Sequence, residues 1–412
     1  MFASRRGMEY AALMGLSLVL FLRYPVHFAL SSPFLMDFTV YHTIAQRVLQ
    51  GAAAQLYAPT SSEMMVFKYA PIWALLWAPI GWLSAHAGAV LWTSGSVLAL
   101  VATLALCARF CRAYGLDPHP LTGVAALVML VRPLAEEMGN GQVNLLWGCL
   151  IAASLYAAAR HRPWLSAWAL AGAILLKLPA AIFLPYFVAR RQWAMLGRAV
   201  AAAAAATLIS SAILIPAAPL TLVLQWGHAL ARNGTQYAFE IGNQSVLALL
   251  ARLFTHDGYG LNLLTLSRMT ITWMAGAGLL LSVIAIGWPN KGRGATAREL
   301  YDGAQLSVVM VIFSPSCWLA TYTALLLPIF ALLAVLTHRL RQRRLDWPAL
   351  CLGSLAIGLS YLTHRAPWRW IGLRHWRGES YLFLVFMVLP WMGLALLGSL
   401  WRLRATDDIS RS

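Results

Sequence analysis

The feature that most constrains this chain is a series of apolar runs, many of them long enough to cross a bilayer, that recur from one end to the other. Residues 8–30, 86–108, 197–216 and 266–288 are examples. Hydrophobic residues make up 60% of the 412 residues and charged residues 11%, against about 25% in a soluble protein. The fold class that we expect is all-α: a polytopic transmembrane helical bundle of about 10–12 membrane helices. It would form a single integral membrane domain over residues 1–412.

The positive charges indicate how the helices are oriented. The net charge is +17, and Arg and Lys cluster in short segments between apolar runs, such as RHR at 160–162 and RLRQRR at 339–344. This is the pattern of cytoplasmic loops, so we expect no nucleic-acid partner. Arg5 and Arg6 would hold the N-terminus in the cytoplasm, and residues 8–30 are too long an apolar run for a signal peptide. The next segment, 31–68, would then be external.

A short amphipathic helix is predicted in this first external loop, over residues 36–50. Its apolar residues recur every four positions, at Met36, Val40, Ile44 and Val48. Gly51 follows as a C-cap. A carboxylate, Asp37, lies in the first turn, where the helix dipole favours a negative charge. Tyr41 lies one turn further along and shares its face.

Several segments do not fit a simple series of crossings. Residues 69–84 are apolar but short and broken by prolines, so we expect a partly inserted segment; a full crossing is the alternative. Residues 164–189 have basic residues at both ends, which favours a hairpin bent near Pro179. Residues 217–265 are expected to be an external loop. The basic stretch 363–379 is also external in this scheme, which means either that it meets phosphate or that the last helices are miscounted.

A lysine in an apolar run needs a physical reason, because a charge at a helix centre costs about 2.5–3.5 kcal/mol on insertion scales. Lys177 lies in AGAILLKLPAAIFLPYF, with apolar residues on both sides. Two interpretations are open. The side chain could extend to the nearer interface, or its ammonium could be held in place to bind an anionic ligand such as a phosphate.

Other polar side chains gather at the predicted outer ends of helices. Amides and hydroxyls donate and accept hydrogen bonds as sugar hydroxyls require, and cations suit a phosphate. Hydrophilic turns, helix caps and interfacial anchors are the alternative interpretation. Glu136 and Glu137 are interpreted as a solvated pair; binding of a metal or of an acceptor is the alternative. The predicted binding residues, beside Asp37 and Lys177, are Tyr41, Lys68, Tyr69, Gln142, Asn144, Gln244, Ser245, Arg252, Ser314 and Trp318.

The order of these motifs resembles that of a known family. DFTVYHTIAQRVLQG, LYAP, FKYAPIWALLWAPIGWL, GNGQVNLL, LLKLPAAIFLPYF, GNQSV with Arg252, and SPSCWLATYTALLLP follow one another over roughly residues 1–340. This set is similar to glycosyltransferase family 87, the polyprenol-phosphate-dependent mannosyltransferases of the GT-C superfamily. Residues 341–412 add only membrane helices. The sequence departs from the family pattern in FKYAP, with Lys68 where a neutral residue is more usual and Ala70 in place of a frequent proline.

The resemblance implies a GT-C-type fold and an enzyme that moves a hexose, most simply mannose, from a polyprenyl-phosphate carrier to a lipid-linked or glycan acceptor. The family's acidic residue in the first external loop corresponds to Asp37, which would be the general base of an inverting displacement. Lys177, Lys68 and Arg252 are candidates to meet the charge of the leaving phosphate. His42 or His228 could assist. No DxD motif is present, and we expect neither a metal nor another cofactor.

Other functions remain open at this stage. A polytopic transporter or lipid flippase also has many helices and buried charge, but usually carries more ionisable residues at the membrane centre. A structural protein of the cell envelope would have no need of Asp37. Transfer of another sugar, such as arabinofuranose, from the same type of carrier is a third possibility. A lipid-linked donor suggests a bacterial plasma membrane with an extracytoplasmic active site.

Overall fold

A computed structural model of the chain describes most of its residues. These are residues 17–31, 34–60, 65–236, 239–240, 242–256, 263–288, 295–344, 346–363 and 387–406, with Gly7, Ala11 and Gly15. All regular secondary structure in these ranges is helical, which confirms the all-α prediction.

Seventeen helices, with a few short 3-10 turns between them, make up the described part of the chain. They are α1 (Ser17–Ser31), α2 (Met36–Leu49), α3 (Pro71–Trp77), α4 (Ala85–Ala113), α5 (Leu121–Met129), α6 (Val131–Asn140), α7 (Asn144–Ala159), α8 (Pro163–Leu176), α9 (Phe183–Ala189), α10 (Trp193–Leu214), α11 (Pro219–Gln236), α12 (Val246–Phe254), α13 (Arg268–Gly287), α14 (Ala295–Ile312), α15 (Leu326–Arg341), α16 (Trp347–Tyr361) and α17 (Val388–Thr406).

Four described helical segments are long and apolar enough to cross a membrane: α4, α10, α13, and the 3-10 turn and helix over Leu319–Arg341. The number rises to six if two bent pairs, α1 with α2 and α6 with α7, each count as one span. The protein is therefore a multi-pass membrane protein. The expected number of ten to twelve crossings stays a prediction.

The chain divides into two compact units, each assembled from several segments. The first contains Met1–Thr103, Ala135–Ala180 and Ala194–Gln236; the second contains Leu104–Leu134, Ala181–Trp193 and Tyr237–Ser412. The expectation of a single membrane domain stays a prediction.

Prolines and short 3-10 turns break the helices where the sequence predicts breaks. Residues 71–82 form a seven-residue helix that opens with Pro71 and a 3-10 turn that contains Pro79. The hairpin expected over 164–189 is two helices, α8 and α9, with a break at Lys177 and a 3-10 turn that contains Pro179. Because proline removes a backbone donor, each break leaves irregular backbone that can carry a side chain out of the helical register.

The segment 217–265 is not the loop that the sequence predicts, and its external position stays a prediction. It contains two helices, α11 and α12. Both are amphipathic: α11 is polar along one face, and α12 has only nine residues. Neither therefore has the long apolar run of a membrane-spanning helix. The basic stretch 363–379 lies outside the described residues apart from Thr363.

In the first unit, a left-handed glycine places the turn between α6 and α7 directly on α2. Gly141 has φ +67°, and a Cβ added there would lie 2.9 Å from the Cβ of Phe38. Its carbonyl oxygen accepts a hydrogen bond of 2.8 Å from the Trp92 indole. Only glycine combines this φ with so close an approach.

In the second unit, a buried asparagine joins two loops. The Asn243 side chain donates to the Pro315 carbonyl at 2.6 Å and accepts from the amides of Ser245 at 3.0 Å and Cys317 at 3.2 Å. The backbone amide of Gln244 donates to the Cys317 backbone carbonyl at 2.6 Å. The segments GNQS and SPSCW are therefore held as one structure.

Replacing Gly141 by alanine should destabilise the protein. Its left-handed φ and the clash with Phe38 should lower the free energy of unfolding by about 1–3 kcal/mol. The measurement is the thermal unfolding midpoint of the purified protein in detergent. Gly139→Ala is the control, because a Cβ at Gly139 meets nothing within 4 Å. Equal midpoints for the two variants would contradict this account.

Asn243→Ala should also destabilise the protein, because one backbone carbonyl and two backbone amides lose the side chain to which they hydrogen-bond. Each lost partner costs about 1–3 kcal/mol, and we expect a total loss of about 3 kcal/mol. The same unfolding experiment measures it. Asn140→Ala is a matched control, since the half-exposed Asn140 makes one long hydrogen bond, 3.2 Å to Glu136. A loss no greater than that of Asn140→Ala would show that Asn243 does not hold the loops.

Candidate active site

The first unit holds Asp37 at the start of a helix, as the sequence predicts. Leu35, two residues before Asp37, has an extended backbone, and the helix begins at Met36. Asp37 is therefore in the first turn, where free backbone amides favour a negative charge. The side chain is half-buried, and its Oδ2 atom is buried with no hydrogen-bond partner among the described residues.

Gln142 contacts the Asp37 carboxylate. It follows Gly141, and the close approach of that glycine to Phe38 brings the turn against the residue after Asp37. The Gln142 side chain hydrogen-bonds to the carboxylate. Because a carboxylate only accepts, the Gln142 side-chain NH2 is the donor. One oxygen of Asp37 is thus held in place, while Oδ2 is left for another donor.

A chain of hydrogen bonds continues from Gln142 to Lys177. The Asn144 side-chain NH2 donates to Gln142 Oε1 at 2.8 Å. The Lys177 ammonium donates to Asn144 Oδ1. Since Lys177 can only donate and Asp37 can only accept, the two amides between them have one consistent orientation. Residues far apart in the sequence thereby form one polar cluster.

The helix break places Lys177 in this cluster. Helix α8 ends at Leu176, and Lys177 has an extended backbone with φ −145° and ψ 118°. Its ammonium lies 5.7 Å from the ring centroid of Trp147, a cation–π distance. These contacts hold the ammonium in place, and its binding of an anionic ligand stays a prediction.

Glu137 is the residue that the sequence interpretation placed wrongly. It is not part of a solvated pair, because only 1% of its surface is exposed. Its Oε2 accepts from Asn144 Nδ2 at 2.6 Å, and its Oε1 accepts from the Leu145 amide at 3.0 Å. Glu136 is half-buried and pairs with Asn140. The available sequence signal was weak: Glu137 lies seven residues before Asn144, the polar residue at which the next helix begins.

Two predicted tyrosines lie in an aromatic wall beside Asp37. The hydroxyls of Tyr41 and Tyr69 are 2.9 Å apart. The Tyr41 ring packs on Trp77 and Trp92, with centroids 4.9 and 4.8 Å away. Tyr41 is only 3% exposed, whereas Tyr69 is half-buried. Of the two, Tyr69 is thus the more accessible to a ligand.

Lys68 belongs to the same neighbourhood. It is half-buried, and its charge interacts with that of Asp37, as does the charge of Lys177. Its backbone carbonyl accepts from the Trp226 indole of α11 at 3.2 Å. A second bond from this helix, Gln225 to the Ala54 carbonyl, is 3.4 Å long. Helix α11 thus contacts the loop that carries Lys68.

The structure separates the two candidate histidines. His42 is buried, and its Nε2 lies 3.0 Å from the Leu83 carbonyl oxygen. His228 is exposed on α11. The contact of His42 with a backbone carbonyl is one that a structural histidine makes.

The remaining predicted residues belong to the second unit, around Asn243. Gln244 is fully buried, and its backbone carbonyl accepts a hydrogen bond from the Tyr322 hydroxyl at 2.8 Å. Ser245 caps α12 by accepting from the Ala248 amide at 3.1 Å. Ser314 is buried and donates to the Ser316 carbonyl at 3.1 Å. These contacts give Gln244, Ser245 and Ser314 structural roles.

Trp318 and Arg252 complete this second group. The Trp318 ring packs against Gly242, where a Cβ would not fit. Arg252 is 7% exposed, and its Nη2 lies 3.4 Å from the Asn243 carbonyl. Burial lowers the pKa of the Arg252 guanidinium to about 10, so the group is still a cation at neutral pH. Asn243, the centre of the group, was missed because nothing in the sequence distinguishes it from the other polar residues of GNQS.

The cluster in the first unit has the elements of a base and an anion site. A carboxylate with one buried, unsatisfied oxygen can accept a proton from a hydroxyl. The ammonium groups of Lys177 and Lys68 act on the same carboxylate and can bind an anionic group.

Comparison with known proteins assigns the chain to a family. A family model described as Glycosyltransferase family 87 matches residues 67–315, more than half of the chain. The chain is 28% identical, over 88% of its length and 84% of the relative's, to a Mycolicibacterium smegmatis protein named polyprenol-phosphate-mannose-dependent alpha-(1-2)-phosphatidylinositol mannoside mannosyltransferase. A Mycobacterium tuberculosis protein of the same name is 26% identical over 76% of this chain and 73% of its own.

A third relative has a related name. The M. smegmatis polyprenol-phosphate-mannose-dependent alpha-(1-2)-phosphatidylinositol pentamannoside mannosyltransferase is 27% identical over 84% of this chain and 81% of its own length. The match to the family model over more than half of the residues decides the assignment: the chain belongs to glycosyltransferase family 87 and is a membrane glycosyltransferase.

Proposed function

We propose that this protein transfers mannose from a polyprenyl-phosphate carrier to a hydroxyl group of a lipid-linked or glycan acceptor. The names of three relatives, all polyprenol-phosphate-mannose-dependent mannosyltransferases, support the donor. The same names, which specify phosphatidylinositol mannosides, support a lipid-linked acceptor. The observation that carries the proposal is the buried Oδ2 of Asp37, an acceptor without a hydrogen-bond partner among the described residues.

Asp37 is the general base in this proposal. A buried acceptor without a partner costs about 1–3 kcal/mol, and more when it is charged, so folding alone would not favour this arrangement. A hydroxyl group of the acceptor would supply the missing donor. The hydrogen bond from Gln142 to the other oxygen holds the carboxylate in one orientation while it takes the proton.

Lys177 and Lys68 would bind the phosphate of the donor. A sugar phosphodiester carries one negative charge, and the leaving polyprenyl phosphate gains more as its bond to the sugar breaks. Ammonium groups held in position beforehand stabilise that developing charge. Asn144 holds the ammonium of Lys177 within the polar cluster. Tyr69, which is half-buried beside Lys68, is a further candidate contact, and Arg252 remains a candidate from the sequence.

The reaction is a single displacement. The acceptor oxygen forms a bond to the anomeric carbon as its proton passes to Asp37. The bond between that carbon and the phosphate oxygen breaks, and its electron pair leaves with polyprenyl phosphate. With one base and no covalent intermediate, the configuration inverts, so a β-linked donor gives an α-linked product.

We place the reaction at the extracytoplasmic face of a bacterial plasma membrane. Basic segments such as 160–162 and 339–344 mark the opposite, cytoplasmic side by the positive-inside rule. Asp37 follows the first apolar run and would lie outside on this scheme. Donors carried on polyprenol rather than on a nucleotide suit a compartment that has no nucleotide sugars.

Asp37→Asn should abolish transfer. The amide cannot take a proton, and general-base catalysis contributes about 10²–10⁴-fold to rate. The measurement is transfer of labelled mannose from polyprenyl-phosphate mannose in membranes that carry either protein. Asp117→Asn makes the same change at an exposed carboxylate and should leave transfer unchanged.

The possible results separate the candidate functions. Transfer in the wild type with normal transfer in Asp37→Asn would remove Asp37 as the base. No transfer from mannosyl, arabinosyl or other polyprenyl-phosphate donors, together with movement of the lipid across the bilayer, would indicate a flippase.

Lys177→Met should weaken donor binding. The loss of a charged hydrogen bond, about 1.5–3 kcal/mol, predicts a rise in donor KM of roughly 10- to 100-fold. The measurement is the donor KM in the same transfer assay. Lys291→Met makes the same change in a predicted cytoplasmic loop and is the control. An unchanged KM with a higher unfolding midpoint would mean that Lys177 only extends to the membrane interface.

A further inference from the structure

Glu137 is a buried carboxylate to which the proposed reaction gives no role. Its two oxygens accept hydrogen bonds from Asn144 Nδ2 and from the Leu145 amide, at 2.6 and 3.0 Å. Its charge also interacts with that of Lys177. Burying a carboxylate is costly unless several partners compensate for the lost water, and Glu137 has such partners.

One function of these bonds is structural. The Leu145 amide lies in the first turn of α7, where backbone amides lack partners within the helix. Glu137 Oε1 satisfies that amide from the end of α6. A capping role of this kind would contribute to stability but would have no effect on the chemistry of the site.

The bond to Asn144 does more, because it controls the orientation of an amide. Asn144 has one accepting oxygen and one donating NH2 group, and its two ends face different partners. Glu137 cannot donate to Asn144 when ionised, so the NH2 group must face it. The oxygen of Asn144 then faces Lys177, which can only donate.

The orientation is passed on to the proposed base. With its NH2 group towards Glu137, Asn144 also donates to Gln142 Oε1 at 2.8 Å. That contact turns the NH2 group of Gln142 towards Asp37. Without a carboxylate at position 137, Lys177 alone would set the orientation of Asn144, and the Asn144 NH2 group that bonds to Gln142 would lose one of its two acceptors.

We propose that Glu137 is a positioning residue for mannosyl transfer. Acting through Asn144, it holds the Lys177 ammonium for the donor phosphate and, through Gln142, the Asp37 carboxylate for the acceptor hydroxyl. Glu137 itself touches neither substrate. This inference rests on the proposed function of the same site.

Glu137→Gln tests the inference. The variant keeps the length of the side chain but offers one accepting oxygen to two donors, so Asn144 or the Leu145 amide loses its partner. We expect donor KM to rise and kcat to fall, with kcat/KM lower by about 10- to 100-fold. Glu136→Gln removes the same charge from the neighbouring, half-buried carboxylate, and we expect its kcat/KM to stay within about twofold of the wild type.

A conservative variant and a stability measurement separate positioning from capping. Glu137→Asp keeps both accepting oxygens on a shorter side chain and should recover part of the lost kcat/KM. If Glu137→Gln lowers the thermal unfolding midpoint but leaves kcat and KM per folded protein unchanged, Glu137 is only a cap and the inference is overturned. Should Glu137→Gln fail to fold, Glu137→Asp carries the test, with a smaller loss of kcat/KM expected and unchanged kinetics overturning the inference.

Binding of polyprenyl monophosphate to the purified protein separates this inference from the proposed function. If the wild type transfers no mannose but binds this lipid, the proposed reaction fails while the positioning of Lys177 is still measurable. Weaker binding by Glu137→Gln than by Glu136→Gln would then support the inference, and equal binding would overturn it. A wild type that neither transfers nor binds would overturn both.

Discussion

The hydrogen bonds of two amide side chains, Gln142 and Asn144, connect a carboxylate to an ammonium within the first unit. An amide by itself can rotate, and it then presents its donor and acceptor in either direction. Here the two residues at the ends of this series of hydrogen bonds remove that freedom, because Lys177 only donates and Asp37 only accepts. These contacts hold Lys177 and one oxygen of Asp37, and they leave Asp37 Oδ2 without a hydrogen-bond partner among the described residues.

Charges within an apolar protein require partners, and both units show it. In the first, Asp37 and Glu137 share their surroundings with Lys177. In the second, Asp302 is 1% exposed and lies 3.0 Å from Arg404 and 3.4 Å from Arg298. The Tyr186 hydroxyl also donates to Asp302, at 2.8 Å. Each carboxylate has one buried oxygen that accepts no hydrogen bond from the described residues, Oδ1 of Asp302 and Oδ2 of Asp37. The Oδ1 atom of Asp302 lies 3.0 Å from Arg404 Nη2.

Much of the fold could be read from the sequence because apolar runs and prolines have direct physical consequences in a membrane. The amphipathic helix over 36–50, the break near Pro179 and the helical fold class were all predicted, and the structure contains them. Helices α11 and α12 were not predicted, because α11 is polar along one face and α12, although apolar, has only nine residues. The roles of Gln244 and Ser245 in loop structure likewise had no signal of their own.

The sequence by itself determined that this chain is a helical membrane protein, which family its motifs resemble, and which polar residues stand out from their apolar surroundings. Only the tertiary structure decided which of them meet. Asn144 and Lys177, or Gln142 and Asp37, are too far apart in the chain for any local pattern to join them. The contacts arise because Gly141 lets one turn pack on α2 and the break after Leu176 directs Lys177 towards it. Glu137 was misinterpreted for the same reason, since burial is a property of packing and a pair of glutamates in sequence gives no measure of it.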